Sequence, residues 1–470
     1  MSSPLAIEAG VAIVLLLVFV AGLLARGDDR RGVAWLATAG VLAVGVLSAF
    51  VRPAGPALGG MFVQDGLAIF AKRLFLVATF IGLLAGLSTS ERAFARRAAE
   101  YHALILASLL GMLVLASARN LILLFLAFEL MSIPLYVLAG FLKRDAGAVE
   151  ASLKFFLVGS VSSAVMAYGL SFVYGATRTT DLAKIAQVAS TSNPLLTLGL
   201  IAALVGIAFK IAAFPFHMWV PDTYEAASTP FVAWLSVAPK AAGFVALFRV
   251  YFEGGGDRAG TWVPIAAALA TVTMLAGNLM ALPQQNTKRL LAYSGIAQIG
   301  YMLVGVAAAS ASGTAMVLFY LVAYVFGNMG AFLVVEALAR AEGSEATTAF
   351  RGLAQRSPLL ALAMLLFLLS LGGIPFVAGF WAKLYVFWAA TERGLYWLVL
   401  LGAVLTVVAL FYYLLVAKRM YIEPPERPTP IPVAPTLAIS VALCALGVVL
   451  LGLYPKAVVM AALRVASPLF

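Results

Sequence analysis

Fourteen predominantly apolar stretches, each about 18 residues or longer, follow one another along this chain, and stretches of that length and composition fold as bilayer-crossing helices. They lie near 5–25, 33–51, 66–88, 100–118, 120–142, 148–175, 193–216, 229–252, 260–282, 288–309, 313–339, 357–390, 395–420 and 434–454. Between them the loops are short, and no segment has the balance of a soluble domain: 63% of the 470 residues are hydrophobic and 11% charged. The expectation is an all-α, polytopic membrane protein with about 14 transmembrane helices, residues 1–470 forming a single membrane domain. Ser2 and Ser3 precede the first stretch without a basic region or a small-residue cleavage site, so that stretch reads as a retained helix.

The net charge of +11 is scattered over short loops and makes no stripe with aromatic interleaving, which argues against a nucleic-acid partner and points to orientation in a lipid bilayer. Loops after odd-numbered spans hold 16 basic residues, Arg26, Arg30, Arg92, Arg96, Lys143 and Arg144 among them, against about 9 on the other side. Both termini are therefore expected to face the periplasm, across a bacterial plasma membrane. The single cysteine, Cys444, cannot by itself ligate an iron-sulfur cluster or close an internal disulfide.

Two spans carry helix breakers. Phe214-Pro215-Phe216-His217 interrupts the seventh, and Gly372-Gly373-Ile374-Pro375 interrupts the twelfth, where proline removes a backbone donor and clashes with the preceding turn. In lipid such breaks survive only against protein or a wet cavity. Lying five spans apart, each with a lysine nearby, they suggest two inverted five-helix repeats, spans 4–8 and 9–13, with broken helices 7 and 12. The corresponding subdivision is 1–99 for the first three helices, 100–252 and 260–421 for the repeats, and 434–470 for the last helix and tail. Thr179 to Thr191, with Asp181 and Lys184, reads as a short surface helix.

Ionisable side chains inside the spans mark the candidate site, because charge at bilayer depth is expensive and asks for a functional reason. Lys240 sits about eleven residues from either end of span eight, too deep to snorkel to the headgroups. Burial penalises its ammonium and a nearby carboxylate favours it, so moving the partner toggles its protonation, as a proton relay requires. A static ion pair is the alternative. Glu129, about nine residues inside span five, is the natural counter-charge for Lys210, which lies five residues before the break in span seven. Lys383 follows the second break and is the deepest charge of the second half. Glu150 and Lys154, in the first two turns of span six, fit either the pathway or the interface. His217 stands at a break and titrates in a range that suits a proton shuttle, or serves as a hydrogen-bonded structural residue. Tyr293, Gln298, Tyr301, Tyr320, Tyr324 and Asn328 put polar groups into spans ten and eleven. Asp222 and Glu225, after the half-helix, either guide protons or sit in water. With neither a phosphate-binding P-loop nor a dinucleotide fingerprint, a line of titratable groups fits the movement of protons or cations better than that of electrons.

Four strings resemble the antiporter-like subunits of respiratory complex I: Phe128-Glu-Leu-Met-Ser-Ile-Pro-Leu-Tyr136, Glu150-Ala-Ser-Leu-Lys-Phe-Phe156, Phe209-Lys-Ile-Ala-Ala-Phe-Pro-Phe-His-Met-Trp-Val-Pro-Asp-Thr-Tyr-Glu225 and Asn286-Thr-Lys-Arg-Leu-Leu-Ala-Tyr-Ser294. The likeness covers nearly the whole chain. Within that family the continuation after Glu129 is most similar to the subunit N branch of NADH-quinone oxidoreductase. Lys383 stands where subunit M typically has glutamate, and subunit L normally extends into a long lateral helix, whereas this chain stops at Phe470.

The resemblance implies a proton-translocating role in which Glu129 pairs with Lys210, Lys240 is the central relay and Lys383 connects toward the other half-channel, with Glu150 and Lys154 also at family positions. It further implies that quinone, FMN and iron-sulfur clusters belong to partner subunits, that this chain carries no cofactor, and that its partners are the antiporter-like M and L and the small K and J subunits. A cation/proton antiporter subunit is the first rival, but a hard cation wants converging oxygen ligands, and lysines stand here instead. A scaffold that only holds its neighbours is the second.

Overall fold

The protein is described here from a computed structural model covering residues 3–25, 31–88, 92–188, 193–255, 259–427 and 429–470. Arg26 and Arg30 of the first loop, Ser2, and Thr191 at the end of the expected surface helix lie outside the described residues. The chain is all-α and multi-pass, with thirteen helices among the described residues long and apolar enough to cross a membrane. The fourteenth expected span, the twelfth in order, is present as two helices of 15 residues each, because the Gly-Pro break divides it. A single small ribbon, β1 (Ala54–Ala57) with β2 (Phe62–Gln64), is the only sheet among the described residues.

The chain divides into two compact units. The first comprises Met1–Ile211, Ala238–Ala259 and Pro468–Phe470. Its helices are α1 (Ala6–Leu24), α2 (Arg31–Phe50), α3 (Gly66–Gly86), α4 (Arg92–Arg96), α5 (Ala98–Ser117), α6 (Leu121–Ala139), α7 (Ala146–Thr177), α8 (Leu182–Val188) and α9 (Pro194–Ile211). The second unit comprises Ala212–Val237 and Gly260–Ser467 and opens with α10 (Trp219–Ala226) and α11 (Thr229–Leu235). The chain then returns to the first unit for α12 (Ala238–Leu247), which runs into a π-helical turn, Phe248–Glu253. The rest of the second unit is α13 (Ala259–Ala281), α14 (Thr287–Ala307), α15 (Ala311–Glu342), α16 (Leu353–Arg356), α17 (Pro358–Gly372), α18 (Ala378–Glu392), α19 (Tyr396–Tyr421), α20 (Pro435–Leu453) and α21 (Lys456–Ala466).

Span eight is thus two helices, a division the sequence reading did not anticipate. Pro239 is the cause: it lacks an N–H, and its ring would clash with the carbonyl of Leu235, where α11 ends. Span seven ends earlier than expected, at Ile211, because the ring of Pro215 would clash with the Ile211 carbonyl four residues back, and Ala212 then leaves the helix with a left-handed φ of 65°.

Asparagine, aspartate and serine cap the helix starts and satisfy amides that lipid would leave bare: Asn120 for α6, Asp145 for α7, Asn286 for α14 and Ser310 for α15. Inside the first unit α7 and α9 cross at glycines, for a Cβ on Gly169 would stand 2.5 Å from the Gly199 carbonyl oxygen. Such close backbone approach replaces the hydrophobic drive that lipid does not supply. Every residue of α12 is buried, and it packs on α3, α5 and α9. In the second unit α15 holds the centre, touching α11, α14, α17, α18 and α20. Apolar residues point outward elsewhere, as at Leu23 on α1 and Leu400 on α19, as a lipid-facing surface requires.

Candidate functional site

In the first unit, Lys210 lies one residue before the end of α9 and is 2% exposed. Its Nζ stands over four rings, 5.2 Å from the centroid of Phe128, 5.4 Å from Phe209, 5.8 Å from Tyr136 and 6.0 Å from Phe155. Glu129, half-buried on α6, accepts a hydrogen bond from Ser163 Oγ at 2.6 Å. The expected Glu129 and Lys210 pair is open in this structure: Lys210 Nζ makes no hydrogen bond, while the carboxylate is engaged by Ser163. Rings occupy the space around the ammonium.

Lys240 is 1% exposed and stands in the first turn of α12, next to Pro239 and the interruption of span eight. One turn further, Gly243 meets α9: a Cβ there would lie 2.6 Å from Ile211 Cγ2 and 3.4 Å from Lys210 Cγ. Lys210 and Lys240 are therefore carried on facing helices that pack through a glycine.

In the second unit, Lys383 on α18 is 4% exposed. Its Nζ donates to the carbonyl oxygen of Gly372 at 3.3 Å and lies 4.5 Å from the Tyr301 ring. The break explains the partner. Where α17 stops, its last carbonyls lose their intrahelical donors, and the negative end of the helix dipole faces the ammonium. Gln298 Nε2 takes the neighbouring carbonyl of Leu371 at 2.9 Å. Gln298 also binds the hydroxyls of Tyr320 and Tyr413, Tyr413 binds Ser294, and Asn278 links Tyr301 to Tyr412. Gln298, Tyr301 and Tyr320 thus belong to a buried polar network in which Asn278, Ser294, Tyr412 and Tyr413 are the members missed from sequence. Asn328 donates to Ser236 Oγ at 2.8 Å, whereas Tyr293 and Tyr324 make no hydrogen bond to it or to the network.

His217, also in the second unit, sits at the first break, 6% exposed, with its ring stacked 5.2 Å from Phe214 and its Nδ1 without a hydrogen bond. Asp222 and Glu225 are held by Arg289, at 3.0 and 2.7 Å, and Lys288 binds Glu345 at 2.8 Å, so these loop acids are paired. Glu150 and Lys154 form an exposed pair at 2.8 Å, four residues apart on α7.

Further buried charges escaped the sequence reading because they lie near span ends. Lys72 on α3, fully buried, binds Glu8 on α1 at 2.6 Å and donates to Gln64. Arg249, in the π-helical turn and likewise fully buried, forms two bonds to Asp65, one to Glu253 and two to the Ala116 carbonyl. The visible signal was a charge within an apolar run, six residues into span three.

The family described as NADH:quinone oxidoreductase/Mrp antiporter transmembrane region matches residues 118–409, the stretch that carries Glu129, Lys210, Lys240 and Lys383. The chain belongs to this family. Among its relatives, NADH-quinone oxidoreductase subunit N of Moorella thermoacetica is 45% identical over 437 residues, covering 92% of each chain. A chain in the structure of respiratory complex I from Thermus thermophilus is 33% identical, with a TM-score of 0.84, over 97% of this chain and 99% of that one. A chain of the Mrp complex from Dietzia matches with a TM-score of 0.87 at 22% identity, over 100% of this chain and 98% of the other, which is a likeness of fold. Family and helices together make this a multi-pass membrane subunit with an antiporter-like fold. Among the described residues no group of three or more His, Cys, Asp or Glu is placed to hold a metal, and Cys444 is a buried free thiol.

Proposed function

We propose that this chain is a proton-translocating membrane-arm subunit of a respiratory NADH-quinone oxidoreductase, in which buried lysines relay protons in response to quinone reduction in other subunits. One observation carries the reading: Lys210, Lys240 and Lys383 are each less than 5% exposed inside membrane spans, and each stands at or beside a helix interruption. Charges so placed are retained for function rather than stability. The 45% identity to a subunit N over nearly the whole chain supports the assignment to that enzyme.

In this reading Glu129 exchanges contact with Lys210, Lys240 is the central relay, and Lys383 with the Gln298 network leads toward the opposite side. His217 shuttles protons at the first break, and Glu150 with Lys154 lies at the rim. The partners are the antiporter-like M and L subunits and the small K and J subunits, with quinone, FMN and iron-sulfur clusters housed outside this chain. The setting is a bacterial plasma membrane, both termini on the periplasmic side. The likeness to an Mrp chain favours an antiporter reading by fold alone.

The test is purification of the assembled enzyme carrying Lys240→Ala. Normal assembly with loss of both coupled quinone reduction and the proton gradient supports the proposal. Intact coupling rejects it, and sodium flux through the isolated chain favours the antiporter.

A further inference from the structure

Lys210 stands in an enclosure built from two neighbouring helices as well as its own. On α7, Phe155, Gly159 and Ser163 recur every four residues and so share one face. Phe155 meets the Tyr136 ring edge-on at 4.7 Å. Gly159 leaves room for the Tyr136 hydroxyl, for a Cβ there would lie 2.2 Å from that oxygen. Ser163 holds Glu129, two turns before Tyr136 on α6. The Tyr136 hydroxyl is buried without a hydrogen-bond partner, so this wall presents ring faces to the lysine and little else.

A cation is attracted to ring faces within about 6 Å, whereas a neutral amine is not. Several such contacts offset part of the cost of an ammonium at bilayer depth. The enclosure therefore holds the protonated lysine without an ion pair and loses its hold once the proton leaves. The titratable groups on the packed elements are Glu129 and Tyr136 on α6 and Lys240 on α12, while Glu150 and Lys154 on α7 form an exposed pair of their own.

We propose that the rings of Phe128, Phe155 and Tyr136 form a second seat for the Lys210 ammonium, alternative to Glu129, and that exchange between the two seats gates proton transfer to Lys240. The three rings are positioning residues, and Gly159 and Ser163 fix the two seats relative to each other. This inference rests on the proton-translocating reading given above.

Progressive ring fluorination tests it, because fluorine drains the ring face of negative charge with little change of size. Mono-, di- and trifluorophenylalanine are installed at Phe128, and separately at Phe155, in the assembled enzyme. The expected result is a stepwise fall in proton translocation, about tenfold with the trifluorinated ring, with assembly unchanged. Activity that stays flat across the series, while Lys210→Met abolishes translocation, overturns the second seat and leaves the functional reading standing. Full translocation by Lys210→Met overturns both.

Discussion

Lys383 Nζ and the carbonyl oxygen of Gly372 lie 3.3 Å apart across the break that separates α17 from α18. An interrupted helix thereby supplies the partner that a buried ammonium needs, and no carboxylate has to be carried into the bilayer for it. The geometry depends on how tightly the two half-helices fold back on each other.

Gly379 sets that tightness. A Cβ there would lie 1.8 Å from the Ser370 carbonyl oxygen, a backbone atom that cannot rotate away. Gly379→Ala is expected to destabilise the second unit by about 3 kcal/mol, at the upper end of overpacking effects, and to lower the thermal midpoint of the detergent-solubilised protein. An unchanged midpoint would show that the break is looser than described.

Glu8 and Lys72 form a buried ion pair that fastens the first helix to the third. Removing one partner strands the other charge, at a cost of about 3 to 5 kcal/mol, while replacing both by apolar residues is close to neutral. Glu8→Leu and Lys72→Met should each impair assembly, and the double variant should assemble better than either. The amount of chain recovered in purified membranes measures this, and additive defects would refute it.

Asp65 gives a pH dependence of stated sign. Burial pushes its carboxyl up, but the Arg249 guanidinium beside it outweighs that and holds it below the usual carboxylate range. A depressed carboxyl contributes stability that is complete above its unfolded value and is lost as pH falls through the folded one. The stability difference between the natural chain and Asp65→Asn should therefore be constant near neutrality and shrink in acid, below about pH 4. Thermal midpoints of both proteins across pH check it, and a difference that grows in acid contradicts it.

Tyr413 joins Ser294 and Gln298 inside the second unit. Tyr413→Phe removes only the hydroxyl and should cost about 1 kcal/mol of stability, while slowing proton translocation more than the fold is weakened. Equal losses in the two measurements would make the network purely structural.

Much of this architecture was legible from the chain itself, because apolar length fixes the spans and proline and glycine fix the breaks at Pro215 and Gly372. Pro239 carried the same signal for span eight and was overlooked, since the run around it stays apolar on both sides. Lys210, Lys240 and Lys383 were found because each charge is isolated in an apolar run. Lys72 and Arg249 were not singled out, being near span ends where a long side chain can also reach water. What no linear pattern could show is which partner each charge has: Ser163 rather than Lys210 for Glu129, four rings for Lys210, and a carbonyl for Lys383. Those depend on which helix faces are brought together, at Gly159 and Gly243 above all.

Protons translocated per NADH oxidised, in sealed vesicles bearing the assembled enzyme with Lys383→Met, test the buried relay most directly. The relay account predicts normal assembly with translocation and coupled turnover falling together, by about tenfold or more. A natural proton yield at natural turnover, with Lys383 gone, would contradict it.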